Sequence, residues 1–417
     1  MLSRKIIIFF LAFIPLSLIG QRNELLKNTL SSLVVNRNGE WNSIPYLSLG
    51  TRDFLQISFD DLAQDYHRYR YRIEPMTWNW QPNQKLLSSE FLARGIDNEA
   101  IDNYEESINT TVYYTHYSFK FPDEHMAFKL SGNYRLVIYD DDAEEDIAII
   151  PFYVIEDESL INVSINTNTD IDFHTKHQQL TFSFQPKPSL TIHNIDSEIH
   201  TVVMQNLSPY TAAYDPRPDY VTTSGLQWEH AKELIFNGGA EFHKIESSSI
   251  RIGGMGIDNI KWYSPYYHAT LIPDEPLENY IYDEDANGAF FVKTIDNNDS
   301  DVEADYLFTH FTLKTGKRLD GEVYIDGAFT NHALTPEYQM TYNYETQSYE
   351  ATLLMKQGYY NYQYILANNN KVSIDETQGN FFQTENRYSL FVYYSQRGSR
   401  YDRIIGLKDI RYISSRK

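Results

Sequence analysis

The chain has 417 residues, enough for two to four domains, and 15% of them are aromatic, which favours half-buried β-sheet surfaces. Its 57 acidic residues outnumber 35 basic ones, and the net charge of −22 argues against nucleic acid and anionic lipid as partners. It contains no Cys, which excludes disulfides, thiol chemistry and cysteine-ligated metals.

Residues 1–20 are predicted to form a secretory signal peptide. Arg4 and Lys5 give the positive start, an apolar run over 6–19 follows, and Gly20 is a small residue at a cleavage point. This run is shorter than the roughly 20 residues that a membrane-spanning helix needs. We therefore expect export to the periplasm and no direct membrane insertion. Cleavage would remove Arg4 and Lys5, so the mature chain would be more negative.

The first predicted domain, residues 21–157, has the pattern of an immunoglobulin-like β-sandwich. Tyr and Arg alternate over 69–72, which is typical of a strand with two different faces. Apolar stretches over 134–139 and 147–155 flank an acidic run, which predicts a hairpin with a solvated tip. Only residues 88–105 look weakly helical.

Two further β domains are predicted, a middle one over 158–304 and a C-terminal immunoglobulin-like sandwich over 305–417. Short alternating stretches such as 180–184 are separated by Pro and turn residues roughly every 8 to 12 positions. The polar, acidic stretch 296–305 is interpreted as a linker or loop. The predicted fold class is therefore all-β, with tandem immunoglobulin-like β-sandwich domains and little helix.

Three motifs could hold an ion or a phosphate, and a structural role is favoured for each. Asp283–Gly288 fits the first half of an EF-hand loop, but Thr294 stands where a bidentate Glu is needed, so a β-turn is predicted. Gly253–Gly256 lacks the Lys-Ser/Thr of a phosphate loop. His174 and His177 have no third ligand nearby in the sequence. We therefore predict no metal and no cofactor.

No motif marks a catalytic group. The nucleophile elbow Gly-x-Ser-x-Gly is absent from the sequence, and no carboxylate pair is picked out among the many acidic residues. The chain is therefore predicted not to be an enzyme. A hydrolase of unknown class stays as a third hypothesis that only the number of carboxylates supports.

Trp78 and Trp80 flank Asn79 in the most unusual aromatic cluster of the sequence. Tryptophans this close together on a loop can anchor a partner or stack on a sugar. They can equally be core residues at the edge of a sandwich, and both alternatives stay open. Trp78, Trp80 and Phe91 are the candidate partner-binding residues.

Short stretches occur in one order along most of the chain, at 59–62, 69–73, 80–82, 90–92, 114–117, 131–134, 285–290 and 355–362. This ordered set resembles the plug proteins of the type IX secretion system of Bacteroidetes. The resemblance implies a periplasmic protein that docks on the periplasmic side of a very large outer-membrane translocon barrel and occludes it. It carries over no catalytic residue or cofactor, and we expect a monomer within a hetero-complex. Met76-Thr77 departs from the family, which tends to have a Cys in this region.

The third block has a second resemblance. Val323–Asn331 resembles the opening strand and turn of a glycogen-binding type of immunoglobulin-like domain, in which a sugar-stacking Trp usually follows. His332 occupies that position here. The alternative function is therefore a periplasmic or surface carbohydrate-binding protein that uses its C-terminal domain, and residue 332 discriminates between the two hypotheses.

Overall fold

The computed structural model describes residues 21–63, 66–95, 98–368 and 371–414, so the predicted signal peptide lies outside the described residues. The described chain consists mainly of antiparallel sheets, which confirms the all-β fold class. Helix is confined there to single turns: α1 (Ser88–Phe91), α2 (Ile195–Glu198), α3 (Ser300–Glu303) and three 3-10 turns, Pro209–Thr211, Lys232–Leu234 and Ala328–Thr330. No helix among the described residues is long and apolar enough to cross a membrane.

The first sandwich contains the first twelve described strands. They are β1 (Glu24–Leu25), β2 (Leu30–Arg37), β3 (Tyr46–Ser48), β4 (Leu55–Asp61), β5 (Tyr69–Met76), β6 (Leu92–Arg94), β7 (Asn98–Ala100), β8 (Tyr104–Glu106), β9 (Thr115–Phe121), β10 (Ala127–Phe128), β11 (Gly132–Asp140) and β12 (Glu145–Ile155). One sheet has the order β1-β12-β11-β5-β7 with β3 parallel to β12, the other has β2-β4-β9-β8, and β6 pairs with β10.

Side-chain alternation builds the core of this sandwich. Tyr69, Tyr71 and Ile73 on β5 are buried, while Arg70 and Arg72 between them are more exposed. Burial of one face of a strand is what its period-2 pattern predicts. The predicted hairpin is also confirmed, because β11 and β12 pair antiparallel along their length.

The next strands supply one sheet and part of another. They are β13 (Ser159–Asn166), β14 (His177–Pro186), β15 (Ile199–Gln205), β16 (Ala213–Tyr214), β17 (Tyr220–Val221), β18 (Leu226–Trp228) and β19 (Ile235–Asn237). The complete sheet has the order β13-β14-β18-β17, with β19 also beside β14. The short strand β16 pairs with β15, whose other edge is filled by a strand from the end of the chain.

The third sandwich follows in one continuous piece. Its strands are β20 (His243–Glu246), β21 (Ile257–Tyr263), β22 (Tyr266–Leu271), β23 (Phe290–Val292), β24 (Tyr306–Lys314), β25 (Glu322–Asp326), β26 (Thr341–Asn343), β27 (Ser348–Lys356), β28 (Gly358–Asn368) and β29 (Lys371–Ser373). One sheet has the order β21-β22-β24-β27-β26, and in the other β28 pairs with β20, β23, β25 and β29.

The last two strands return to the second sandwich. They are β30 (Arg387–Tyr394) and β31 (Arg403–Arg411). β30 pairs with β15 from Ile199 opposite Tyr394 to Gln205 opposite Tyr388, and the sheet order is β16-β15-β30-β31.

The sheets therefore divide the chain differently from the predicted boundaries 158–304 and 305–417. The second sandwich combines residues 159–237 with 387–411, and the third is inserted between these two parts. Strand patterns are local, whereas the pairing of β15 with β30 joins residues far apart in sequence. Composition along the chain does not reveal that pairing.

Candidate functional site

Two of the three predicted partner-binding residues are buried. Trp80 and Phe91 are each 1% exposed. Trp80 packs edge-on against Tyr153 with ring centroids 5.4 Å apart, in a cluster shared by the first and second sandwiches. Phe91 lies in the core of the first sandwich, 5.5 Å from the ring of Tyr134. Neither side chain presents a surface to a partner, which argues against Trp80 and Phe91 as partner-binding residues and favours the core alternative.

Trp78 contacts another part of the same molecule. Its ring lies parallel to the His200 ring on β15, with centroids 4.3 Å apart. Its backbone N–H donates to Asp402 Oδ2 at 2.8 Å. Because His200 and Asp402 belong to the second sandwich, Trp78 fastens the first sandwich to it. The tryptophan pair therefore lies at the contact between the first and second sandwiches. We call such a contact between two sandwiches a seam.

A buried ion pair joins the first sandwich to the third. Lys356 Nζ on β27 lies 2.6 Å from Asp60 Oδ2 on β4, and each side chain is 1% exposed. Tyr306 OH on β24 donates to the same carboxylate oxygen at 2.7 Å. The His116 ring nitrogen Nδ1 lies 2.7 Å from the other oxygen. Both oxygens of this buried carboxylate are therefore paired, as a buried charge requires.

The Lys356 ammonium is also satisfied on its remaining sides. It donates to the Asp301 carbonyl oxygen at 2.7 Å. The ammonium nitrogen lies 4.0 Å from the ring centroid of Tyr114, a cation–π contact. Tyr114 OH in turn donates to the Ala304 carbonyl oxygen at 2.9 Å. We name Asp60, His116, Tyr114, Tyr306 and Lys356 the seam network.

The seam network favours the charged form of Asp60. Burial by itself raises the pKa of this carboxyl, but the Lys356 ammonium and the His116 hydrogen bond outweigh burial and hold the pKa below its usual value. Burial, followed by the Asp60 charge, raises the pKa of Tyr306 well above its ordinary value, so the phenol remains a donor. Removing either charge while the sandwiches stay packed would leave the other charge buried without its counter-ion.

The sequence patterns did not predict this network, although four of its five residues lie in the stretches whose order resembles the plug family. Asp60 lies in 59–62, Tyr114 and His116 in 114–117, and Lys356 in 355–362, stretches whose order resembles the plug family. Asp60 and Lys356 are 296 positions apart. The available signal was a charged residue next to Phe59 and another following Met355, within strongly apolar strands. That pattern indicates that each charge needs an oppositely charged partner, but it does not identify the partner residue.

The acidic loop 283–288 is a turn held by internal hydrogen bonds. Asp285 accepts from the Asn287 backbone N–H at 2.8 Å, and Lys244 forms an ion pair with the first Asp of the loop. Asn287 and Gly288 have φ values of 53° and 86°, which confirms the predicted turn. Burial raises the pKa of Asp285 to about 6, which weakens it as a ligand for a hard cation.

The other two motifs also have structural partners. His174 Nδ1 lies 2.7 Å from Thr167 Oγ1, and His177 Nδ1 lies 2.7 Å from Asp172 Oδ2. In the loop Gly253–Gly256, a Cβ at Gly256, where φ is +74°, would lie 2.4 Å from a backbone oxygen of β20. Glycine is needed at this position because the loop lies directly against that strand. In the part of the chain that the structure describes, no group of three acidic or His residues is arranged to hold a metal ion.

The position expected for a sugar-stacking Trp lies at another internal seam. His332 Nδ1 is 2.9 Å from Asp326 Oδ1, and its side chain is 12% exposed. The His332 carbonyl oxygen accepts a hydrogen bond from Tyr210 OH of the second sandwich. This position therefore faces the second sandwich.

Comparisons with known proteins point to one family. A profile described as "Type 9 secretion system plug protein 1st domain" matches residues 30–156. A crystal structure of a hypothetical protein from Parabacteroides merdae has 34% sequence identity and a TM-score of 0.89, covering 94% of this chain and 99% of that chain. The C-terminal domain of an antigen I/II polypeptide from Streptococcus agalactiae has only 7% identity and a TM-score of 0.16, covering 93% of this chain and 96% of that chain. None of the curated proteins matches this chain.

Proposed function

Because the chain belongs to the plug protein family of the type IX secretion system, we propose that it is a non-enzymatic periplasmic gate. It docks on the periplasmic side of the large outer-membrane translocon barrel and occludes the barrel when no cargo is being passed. The family match of the first sandwich is the observation that carries this proposal. The hypothetical protein from Parabacteroides merdae shares the fold over 94% of the chain.

The contacts between the sandwiches suit a protein that blocks a channel by its size and rigidity. A gate must keep its shape against a channel, and independent sandwiches on flexible linkers would not. Here Trp80 and Tyr153 pack the first sandwich on the second, and the Asp60–Lys356 pair joins the first to the third. Such a body needs an interface of at least roughly 1,000 Å² with the barrel, and it needs no chemistry.

The cellular location follows from two features of the chain in this proposal. Family membership indicates the cell envelope, and the predicted signal peptide at residues 1–20 directs export to the periplasm. Association with the outer membrane then occurs through the barrel. We propose a monomer of this chain within the hetero-complex.

Carbohydrate binding by the C-terminal domain is less well supported. The discriminating position is His332, which is hydrogen-bonded to Asp326 and to Tyr210 across a seam. A sugar that stacked there would have to displace the second sandwich. No other feature of Val323–Asn331 favours a sugar.

The first test is affinity capture of the tagged full-length protein from detergent-solubilised envelopes, with mass spectrometry of what is recovered. We expect stoichiometric recovery of one very large outer-membrane barrel protein. The second test measures ion conductance through the purified barrel in a planar bilayer, where adding the protein should close the channel. Recovery of no barrel, where the translocon is shown to be present, contradicts docking, and an unchanged conductance contradicts occlusion.

A further inference from the structure

Strand β13 lies at the edge of a sheet of the second sandwich and has no neighbour on one side. Its eight residues pair with β14 without a register shift, and within the described chain no other strand pairs with it. β31 approaches its first residues, where a Cβ on Gly406 would lie 2.1 Å from Ser159 Oγ. We name the side of Asn162–Asn166 that faces away from β14 the open edge.

The open edge lacks the features that usually prevent a long outer strand from pairing, which are charged residues, Pro or a bulge. Three other outer strands of the described sheets have seven or more residues. β2 and β21 each contain a register shift, and β31 has charged side chains at Arg403, Lys408, Asp409 and Arg411. β13 has the sequence SLINVSIN. It is therefore the long outer strand that the described chain leaves free to pair.

The register shows which backbone groups point to the open edge. The Lys187 N–H donates to the Glu158 carbonyl oxygen at 2.9 Å, and opposite residues of an antiparallel pair alternate between bonded and non-bonded positions. The residue opposite Ser159 is a Pro, which has no N–H to donate and fits a non-bonded position. By this alternation, Val163 and Ile165 direct their N–H and C=O groups away from β14.

One face of β13 is apolar and incompletely covered. Val163 lies opposite Phe182 on β14 and packs against the same core. Phe182 is 4% exposed, whereas Val163 and Ile165 stay partly exposed. The other face is polar and exposed, at Asn162 and Ser164. A further strand beside β13 would cover the apolar face and leave the polar face in water.

We propose that the open edge pairs with an extended segment of the barrel protein, which joins the second sandwich as an additional strand. The inference rests on the proposed function and names an element that takes part in docking. The segment binds the free N–H and C=O groups of Val163 and Ile165, as in other complexes formed by strand addition. Its side chains on the core side are apolar and the alternate ones are polar or small. A sugar or a lipid offers no matching row of amide donors and acceptors.

Charge does not determine this pairing. The acidic residues that flank β13 along the chain have partners in the same molecule: Lys187 for Asp157, Ser189 for Glu158, His230 for Asp170 and His177 for Asp172. A second copy of this chain fits the open edge less well, because each copy has a net charge of −22 and two copies repel each other. Recognition by β13 therefore depends on backbone pairing and apolar contact.

The first experiment removes one donor from the open edge. Val163→Pro deletes an N–H that does not bond to β14, a position at which an outer strand tolerates Pro. Val163→Ala is the matched control, because it shortens the same side chain and keeps the N–H. The wild type and both variants, full-length and verified as folded by circular dichroism and thermal unfolding, are compared in the envelope capture. We expect Val163→Pro to recover at least tenfold less barrel than the wild type, and Val163→Ala to recover as much.

The second experiment does not require the Pro variant to fold. Because the chain contains no Cys, Asn162→Cys provides a unique attachment point for a photo-crosslinker beside the open edge. The labelled protein is added to solubilised envelopes, illuminated and mapped by mass spectrometry. We expect crosslinks to one short barrel segment with apolar residues at alternate positions. Sedimentation equilibrium of the wild type and Val163→Pro tests for a second copy at the edge.

The outcomes separate this inference from the proposed function. Equal barrel recovery by Val163→Pro and the wild type, or an equal loss in Val163→Ala, overturns pairing at the open edge and leaves the proposed function intact. If Val163→Pro does not fold, the absence of a barrel crosslink from Asn162→Cys overturns the pairing. A wild-type dimer that Val163→Pro dissociates assigns the edge to a second copy and overturns the barrel segment. Failure of the wild type to recover the barrel overturns the proposed function and this inference together.

Discussion

At the scale of single residues, the seam between the first and third sandwiches depends on two charges that need each other. Asp60 and Lys356 are both almost completely buried, and their partners are themselves buried or half-buried. Ion pairs of this kind add little net stability compared with an apolar pair of the same shape. They make the removal of one member costly, so they favour one arrangement of the two sandwiches.

We predict that Lys356→Met destabilises the protein by about 3–5 kcal/mol, because it leaves the Asp60 carboxylate buried without a counter-ion. The double variant Asp60→Asn/Lys356→Met should recover part of that loss, since it removes both charges. Urea unfolding of the two single variants and the double variant measures the coupling as a double-mutant cycle.

Lys314→Met is the matched control on the same sandwich. Lys314 pairs with Glu275 at 3.3 Å, and both side chains are more than half exposed, so we expect a change below about 1 kcal/mol. If Lys356→Met costs no more than this control, the buried pair does not hold the seam together.

At the scale of elements, the loop between β5 and α1 explains why two tryptophans that are only two positions apart have different environments. Two residues apart on a strand, Trp78 and Trp80 would face the same side. Instead Trp80 has φ of 60°, and its N–H donates to the Thr77 carbonyl oxygen at 2.9 Å. The chain turns here, which sends the Trp80 ring into the seam and leaves Trp78 on His200.

We predict that Trp80→Ala destabilises the protein by about 3–5 kcal/mol, the range for a large buried aromatic side chain. Trp78→Ala should cost about 1 kcal/mol, because its half-buried ring loses chiefly one stacking contact. Thermal and urea unfolding measure both values, and barrel recovery by folded Trp78→Ala should equal that of the wild type. A Trp78→Ala protein of normal stability that recovers less barrel would restore Trp78 as a partner anchor.

The sequence predicted the strands better than the contacts between them. Alternation at 69–72 and the hairpin at 134–155 depend on neighbours along the chain, and both occur as expected. The environment of Phe91 depends on residues such as Phe128 and Tyr134 on other strands. Whether an aromatic residue is an anchor or a core residue is decided by what covers it, and one local pattern is compatible with both.

At the scale of the whole molecule, the insertion of the third sandwich into the second makes the two interdependent. The chain leaves the second sandwich at Gly238–Gly239 and returns at Thr384–Asn386, and these points are joined by hydrogen bonds. Asn386 Nδ2 donates to the Gly238 carbonyl oxygen at 2.7 Å, and Thr384 Oγ1 donates to that of Gly239 at 2.8 Å. The close entry and exit points hold the inserted sandwich at a fixed position, which suits a rigid gate.

This arrangement predicts the effect of shortening the chain at its C-terminus. Removing residues 387–417 deletes β30 and β31, and with them Leu390, Val392 and Tyr394 from the core of the second sandwich. The remaining pair β15–β16 cannot cover Phe182 and Phe184 on the opposite sheet. We therefore expect residues 159–237 to become protease-sensitive, whereas most cleavage sites in the third sandwich should stay protected.

Limited proteolysis with mass mapping measures this, and a chain that ends at Tyr412 is the control because it keeps β31 complete. The predicted domain boundaries lead to a different outcome, since a separate C-terminal domain over 305–417 would itself unfold when its last strands are lost. Sensitivity confined to 305–386 would therefore contradict the inserted arrangement. Sensitivity confined to 159–237, which ends 150 positions before residue 387, is expected because β15 and β30 form one sheet.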